Sequence, residues 1–166
     1  MYRTPPNRKI SDLTFFVTAS LRDRQLLFAD DAAAKIVLDS LQFFRAHGEI
    51  ELYGYVIMPD HVHFVVRPVS PLTLPNMMRR FKTYTAHTIG AGAIWEDGYH
   101  SEVLTHAGIV KQKLNYIHEN PVRQKLATKA ENFRWSSAGA YTRGEPFELL
   151  DYVFGPPTLE AGRARQ

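Results

Sequence analysis

Two extended runs, Ile50-Glu51-Leu52-Tyr53-Gly54-Tyr55-Val56-Ile57-Met58 and His61-Val62-His63-Phe64-Val65-Val66, are separated only by Pro59-Asp60. Runs this rich in β-branched and aromatic residues suit a pleated, largely covered surface, and Pro-Asp is turn chemistry, so residues 50–66 predict a β-hairpin. Any architecture open to this chain has to contain that hairpin. Upstream, Leu13-Thr14-Phe15-Phe16-Val17-Thr18-Ala19 predicts a first strand. Between the two, from Asp30 to His47, Ala33, Ile36, Val37, Leu41 and Phe44 recur at helical spacing, with Asp30 or Asp31 as N-cap and Gly48 just past the end.

Downstream, Pro68 to Pro71 read as a short loop and Leu74 to Ile89 as a helix carrying Met77, Met78, Phe81, Tyr84 and Ala86 among Arg79, Arg80 and Lys82. A fourth extended segment falls within Trp95 to Leu104. A third helix runs from about His106 to Glu119 and is expected to stop at Asn120-Pro121, because proline disfavours helical geometry in the residue before it. The order β-α-β-β-α-β is that of an α+β, ferredoxin-like domain, an antiparallel sheet with helices on one face, here with a C-terminal helical extension.

At 166 residues and 45% apolar composition the chain can close one core. Residues 9–154 are therefore expected to form a single domain, with residues 1–8 and 155–166 as flexible termini. A barrel of eight strand-helix units, at roughly 250 residues, does not fit. Cysteine is absent, which removes disulfides, thiolate metal sites and thiol nucleophiles, so any metal must be held by nitrogen and oxygen. No apolar run reaches the eighteen or so residues of a membrane-spanning helix. The run Leu13 to Leu21 after Arg8 and Lys9 superficially resembles a secretory signal, but Asp12 interrupts it and Thr14, Thr18 and Ser20 dilute it, so a soluble, cytoplasmic protein is expected. Twenty Lys and Arg against seventeen Asp and Glu leave +3, which admits a polyanionic partner without demanding one.

Three features can carry chemistry. Alternation along a strand sends His61 and His63 to one face, roughly 7 Å apart at Cα, so both imidazoles can converge on one ion. The bland alternative is two histidines on a solvated sheet face, but the flanking Tyr55, Ile57, Phe64 and Val66 make the strands otherwise apolar. In the third helix, at about 100° per residue, Val110, Leu114 and Ile117 form a core-facing stripe while Ile109, Lys113, Tyr116 and Asn120 run along its flank. A packed tyrosine with its hydroxyl in water explains Tyr116 equally well at this point, and His118 points to another sector. Finally, Arg79, Arg80 and Lys82, with Arg123 and Lys125 further on, form either solvated helix faces or, with Tyr84, Trp95, Tyr99 and Trp135, a surface that grips phosphates and stacks unpaired bases.

Spacing sets other chemistries aside. A metallo-hydrolase of the His-x-His-x-Asp-His kind needs Asp where the chain has Val65, and no His-x-Ser/Thr pair, glycine-rich phosphate loop, His-Glu-x-x-His or nucleophile elbow is present.

Taken together, Gly54-Tyr55-Val56-Ile57-Met58-Pro59-Asp60-His61-Val62-His63, then Tyr116-Ile117-His118-Glu119-Asn120-Pro121-Val122-Arg123, then Trp135-Ser136-Ser137 resemble the REP-associated tyrosine transposases, a branch of the single-tyrosine HUH transposases. The similarity extends from about Phe15 to Tyr141. It implies that His61 and His63 bind a divalent ion, Mg²⁺ or Mn²⁺, that Tyr116 is the nucleophile, and that Asn120 supplies a third ligand where many relatives of the insertion-sequence branch carry Gln. A water or Asp60 is the alternative third ligand. A free tyrosine hydroxyl titrates near 10, so a metal is needed to polarise the phosphate, and a metal-bound water or Lys113 is open as general base. The reaction implied is metal-dependent, sequence-specific cleavage and rejoining of single-stranded DNA at hairpin-forming palindromes through a 5′-phosphotyrosine link, by a monomer or homodimer. Arg79, Arg80, Lys82 and Arg123 are the expected phosphate contacts. The competing expectation is a non-catalytic single-stranded nucleic-acid-binding module on the same sheet.

Overall fold

The computed structural model describes residues 13–143 together with Leu150 and Asp151. The expected flexible termini, 1–8 and 155–166, lie outside those residues. Elements follow in the order β1 (Thr14–Ser20), α1 (Asp31–Ala46), β2 (Ile50–Met58), β3 (His61–Pro68), α2 (Leu74–Ile89), β4 (His100–Leu104), α3 (Ala107–Arg123) and α4 (Ala138–Arg143). The four strands form one antiparallel sheet in the order β2-β3-β1-β4, the arrangement the βαββαβ pattern predicts.

Local chemistry accounts for the limits of the elements. The Asp30 carboxylate caps α1 by accepting from the Ala32 N–H at 3.3 Å, and Thr73 caps α2, each satisfying a donor that the first helical turn leaves open. Gly90, at φ 75°, ends α2 in the left-handed conformation that only glycine adopts freely. Of the segment Trp95 to Leu104, only the last five residues form a strand. Trp95 instead buries its indole among Phe28 and Phe81, with Nε1 donating to Thr85 Oγ1 at 2.9 Å.

Each strand divides its residues between two layers. Val17, Ala19, Leu21, Leu52, Tyr55, Ile57, Val62, Phe64 and Val66 face α1 and α2, where Val37, Leu41, Phe44, Met77, Met78 and Phe81 complete the larger core. The two helices of the βαββαβ unit thus share one face. Phe16, Tyr53, Val56, Met58 and Val65 face the other way, under Val110, Leu114 and Ile117 of α3. The additional helix therefore covers the second face, and the apolar stripe read from its sequence is the side that is buried.

Gly54 sets how closely α3 approaches. A Cβ at this position would lie 2.4 Å from Leu114 Cδ2 and 3.1 Å from Ser137 Oγ. The pairing of β2 with β3 shifts register between Leu52 and Gly54, a bulge beneath the helix. On the outer edge of β2, the segment Trp135-Ser136-Ser137 pairs as a short antiparallel strip: Ile57 N–H donates to Trp135 O at 2.8 Å and Ser137 N–H to Tyr55 O at 3.0 Å. Ser137 Oγ accepts from Tyr55 N–H at 2.9 Å and contacts His118 Nε2 at 2.7 Å, joining the strip to α3.

One expectation is corrected. The third helix does not stop at Asn120-Pro121 but continues through Pro121 to Arg123. Proline leaves the Ile117 carbonyl without its helical donor. Against that, Asn120 and Pro121 are buried, and the last turn is closed by Gln124 N–H to Asn120 O at 3.0 Å and Leu126 N–H to Pro121 O at 2.8 Å. Among the described residues no helix is long and apolar enough to cross a membrane.

Two stability predictions follow from this packing. Gly54→Val forces its side chain into Leu114 and should cost about 1–3 kcal/mol in urea unfolding; wild-type stability would mean that α3 does not rest on this residue. His118 is held neutral by burial, its pKa lowered to about 4, against about 6.5 for a free imidazole. Between those values the unfolded chain binds a proton that the folded chain does not, so stability is highest above pH 6.5 and falls as pH drops toward 4. Urea midpoints measured from pH 7 to 4.5 should fall less steeply for His118→Gln than for wild type, and identical slopes would assign the acid sensitivity to other groups.

Candidate active site

The face of the sheet beneath α3 gathers the residues with chemical potential. His61 and His63 open β3, and alternation turns both toward α3, His63 between Thr18 of β1 and Val56 of β2. Their Nε2 atoms stand 3.1 Å apart. The far nitrogen of each ring is held: His61 Nδ1 meets Asp60 Oδ1 at 2.6 Å, and His63 Nδ1 meets Thr18 Oγ1 at 2.8 Å. A carboxylate only accepts, so Asp60 fixes a proton of His61 on Nδ1, and in the neutral ring this leaves the Nε2 lone pair facing His63. Thr18 can hold His63 in the same tautomer by accepting from its Nδ1–H. Asp60 therefore lies behind the imidazole, as an orienting group.

His63 is kept uncharged. Burial, the neighbouring His61 and the cations Arg123 and Lys113 lower its pKa to about 3, against a smaller opposing pull from Asp60. Its ring stacks on Phe16 with centroids 5.3 Å apart, and Phe16 also meets the Tyr116 ring edge-on at 5.9 Å.

Tyr116 comes from α3, one residue before the buried Ile117, and so emerges at the rim of the helix contact. Its ring lies 5.9 Å from that of His63, and the residue is 46% exposed, which leaves it open to solvent. Arg123, two helical turns later on the same flank, sets its guanidinium 4.6 Å from the Tyr116 ring centroid and donates from Nη2 to the Tyr116 carbonyl oxygen at 2.6 Å. Asn120 lies between them in sequence, buried and with no side-chain hydrogen bond among the described residues. Lys113, considered as a general base, pairs with Glu102 at 2.7 Å and sits 4.8 Å from the Phe16 ring centroid.

Not every expected residue comes to this face. α2 packs on the other side of the sheet, and with it Arg79, Arg80 and Lys82. Arg80 forms a salt bridge with Glu49, and Lys82 donates to the Glu96 carbonyl at 2.7 Å and to that of Gly98. Arg79 is exposed and makes no hydrogen bond or ion pair among the described residues. His118, set aside on its helical sector, is indeed part of the core contact with Ser137. Sequence reading missed Thr18 and Phe16, which no local motif marks because they reach the histidines only through strand pairing.

The donor set suits a small divalent cation. Two ligands at right angles on bonds of about 2.1 Å stand roughly 3 Å apart, matching the spacing of the two Nε2 atoms, and each imidazole has its second nitrogen anchored as metal-ligating histidines do. Among the described residues no group of three His, Cys, Asp or Glu could hold a metal. A further protein ligand would thus be a neutral oxygen, the type that the Asn120 amide provides.

Comparison with known proteins places this geometry in a family. The sequence model of the IS200-like transposases matches residues 9–120. Among solved structures, a REP-associated tyrosine transposase bound to a REP hairpin superposes with a TM-score of 0.71 at 18% identity, covering 95% of this chain and 99% of that one. A Deinococcus radiodurans protein described as a transposase superposes with a TM-score of 0.50 at 18% identity, covering 72% and 97% respectively. At such identities the likeness is one of fold, and it supports the four-stranded antiparallel α+β architecture. No curated protein matches. Since the family match spans most of the sheet and α3 as far as Asn120, taking in both histidines and the tyrosine, the chain belongs to the IS200-like transposases, enzymes of DNA transposition.

Proposed function

We propose that this chain is a metal-dependent, sequence-specific endonuclease and strand transferase of single-stranded DNA, in which Tyr116 is the nucleophile and His61, His63 and Asn120 hold the cation. The observation that carries the reading is the meeting of a half-exposed phenol with a pair of facing imidazoles across one sheet face. A bound Mg²⁺ or Mn²⁺ would polarise the scissile phosphate and offset charge on its non-bridging oxygens.

The remaining steps fall to the chain's own residues. Tyr116 attacks phosphorus in line, its phenolic oxygen forms the new P–O bond and gives up its proton, and the 3′-oxygen leaves as a free hydroxyl, giving a 5′-phosphotyrosine link. One phosphoester replaces another, so a second 3′-hydroxyl can reverse the step without ATP. Asp60 and Thr18 hold the imidazoles in their tautomers. Arg123, beside the tyrosine, is positioned to meet a phosphate of the bound strand. Arg79 is free to contact DNA only on the opposite face, while Arg80 and Lys82 would first have to release their protein partners.

The single-stranded substrate follows from access, because a phenol set between a helix and a sheet reaches a phosphate only when the strand is splayed from its complement. The fold relative bound to a REP hairpin supports a hairpin-forming palindrome of that type as the DNA partner. The rival reading, a non-catalytic binding module, needs aromatics open on the sheet for base stacking. Here Phe16 is buried under α3, along with Val56 and Val65.

After incubation with labelled hairpin-bearing single strands and Mn²⁺, denaturing electrophoresis should show a protein-linked product for wild type and none for Tyr116→Phe, with hairpin binding preserved. A linked product from the Phe variant would reassign the nucleophile. Titration with Mn²⁺ should show affinity lost in His61→Ala plus His63→Ala and lowered about 10–100-fold in Asp60→Ala, the usual cost of removing an orienting partner. Equal affinity in all three proteins would leave the imidazole pair without its assigned role.

A further inference from the structure

On the face of the molecule opposite Tyr116, α1 and α2 leave between them a groove of about 490 Å³. Phe43 of α1 and Tyr84 of α2 line it from its two sides, and each is 52% exposed. Cations and imidazole accompany them. Arg79 and His87 lie two turns apart on one stripe of α2, about 12 Å along the axis, and Arg80 sits with its guanidinium 4.8 Å from the Phe44 ring centroid. Among the described residues no carboxylate lines this groove. Asp39, next in sequence to the lining Ser40, is paired with Lys35, while Glu49 belongs to an adjoining cleft of about 500 Å³ and is already bound by Arg80. The two clefts share Arg79 and Arg80, so the arginine pair forms a saddle between them.

Two exposed rings on facing helices leave apolar area in water that a folded chain ordinarily covers. Among the described residues the groove lining carries two arginines and no carboxylate, which suits flat apolar rings carried on an anionic backbone. We propose that the α1–α2 groove is a second, non-catalytic site for an unpaired stretch of DNA, in which bases stack on Phe43 and Tyr84 while phosphates pass Arg79 and Arg80. The inference rests on the DNA function proposed above, but places the contact on the side of the sheet away from the histidine pair. Stacking on aromatic rings tolerates any base, so this site adds affinity for strand length without reading sequence. Arg79 is the cation best placed to serve it, being exposed and unpaired among the described residues.

The full chain carrying Tyr116→Phe, which cannot become covalently linked, serves as the reference. Its binding to fluorescein-labelled oligothymidylates of increasing length is compared with that of the same protein carrying Phe43→Ser plus Tyr84→Ser, or Arg79→Gln. Circular dichroism checks that these exposed substitutions leave the fold intact. Affinity should rise with length in the reference and be about tenfold weaker for the longest strand in the aromatic variant. Arg79→Gln should lower the slope of log affinity against log salt by about one. Photocrosslinking of a bromodeoxyuridine strand to the unsubstituted chain should label the peptides holding Phe43 or Tyr84. Equal length dependence in all proteins, with crosslinks confined to other segments, would overturn the proposal, including the case in which the groove instead seats residues 152–166 or a second copy. If the groove binds DNA while the wild-type chain forms no tyrosine-linked product, the catalytic reading fails and this one stands; if the linked product forms and the groove variants bind as the reference does, only this one fails.

Discussion

The seating of α3 on the sheet is the constraint from which the site follows. Val110, Leu114 and Ile117 are buried, Leu114 occupies the space that Gly54 leaves open, and His118 is tied to Ser137 at the sheet edge. A helix held at those points has little freedom to turn about its axis. The residue before Ile117 then has to emerge about 100° away, at the rim of the contact. Tyr116 is that residue, and its ring comes to rest against Phe16 and His63. The position of the phenol is thus decided by apolar packing several ångströms away, in side chains buried between the helix and the sheet.

Electrostatics then gives the face its character. Burial keeps His63 neutral, and Arg123 and Lys113 reinforce that by opposing a second positive charge. Among the described residues, the carboxylate in contact with the histidines, that of Asp60, is turned toward a ring Nδ1, and Glu102 is bound to Lys113. What remains facing outward among the described residues is a pair of imidazole Nε2 atoms, a phenol and a guanidinium. None of these groups carries a negative charge that would repel an anion, and the imidazole nitrogen atoms are of the type that ligates a divalent cation.

How far the sequence was legible depended on the range of the interactions involved. The hairpin, both long helices of the βαββαβ unit and the apolar stripe of α3 are set by periodicity and turn residues, and they stand where periodicity puts them. His61, His63 and Tyr116 were readable as two residues on one strand face and one on a helix flank; the motif resemblance suggested that they meet, and pairing of β3 with β1 and β2 carries them to the face that α3 covers. Other roles depended on long-range partners. Trp135-Ser136-Ser137 carries no strand signature because its strip is completed only by β2, and the pairing of Lys113 with Glu102 is set by the approach of α3 to β4. The cations of α2 illustrate the same limit: their spacing says which of them share a helix face, while the layer in which the helix packs is decided by the sheet.

Pro121 shows a local rule yielding to the context around it. Had α3 ended at Asn120, Arg123 would leave on a loop. One further turn instead places it seven residues after Tyr116, two turns along the same flank, with its guanidinium over the phenol ring and bonded to the Tyr116 carbonyl. In the middle of a helix a proline costs about 3 kcal/mol or more, but here only one turn follows it, the ring itself is buried, and its carbonyl accepts from Leu126. The cation beside the candidate nucleophile therefore depends on a turn that sequence rules alone would have ended, so a substitution that unwinds residues 121–123 should displace Arg123 without disturbing the imidazole pair on β3.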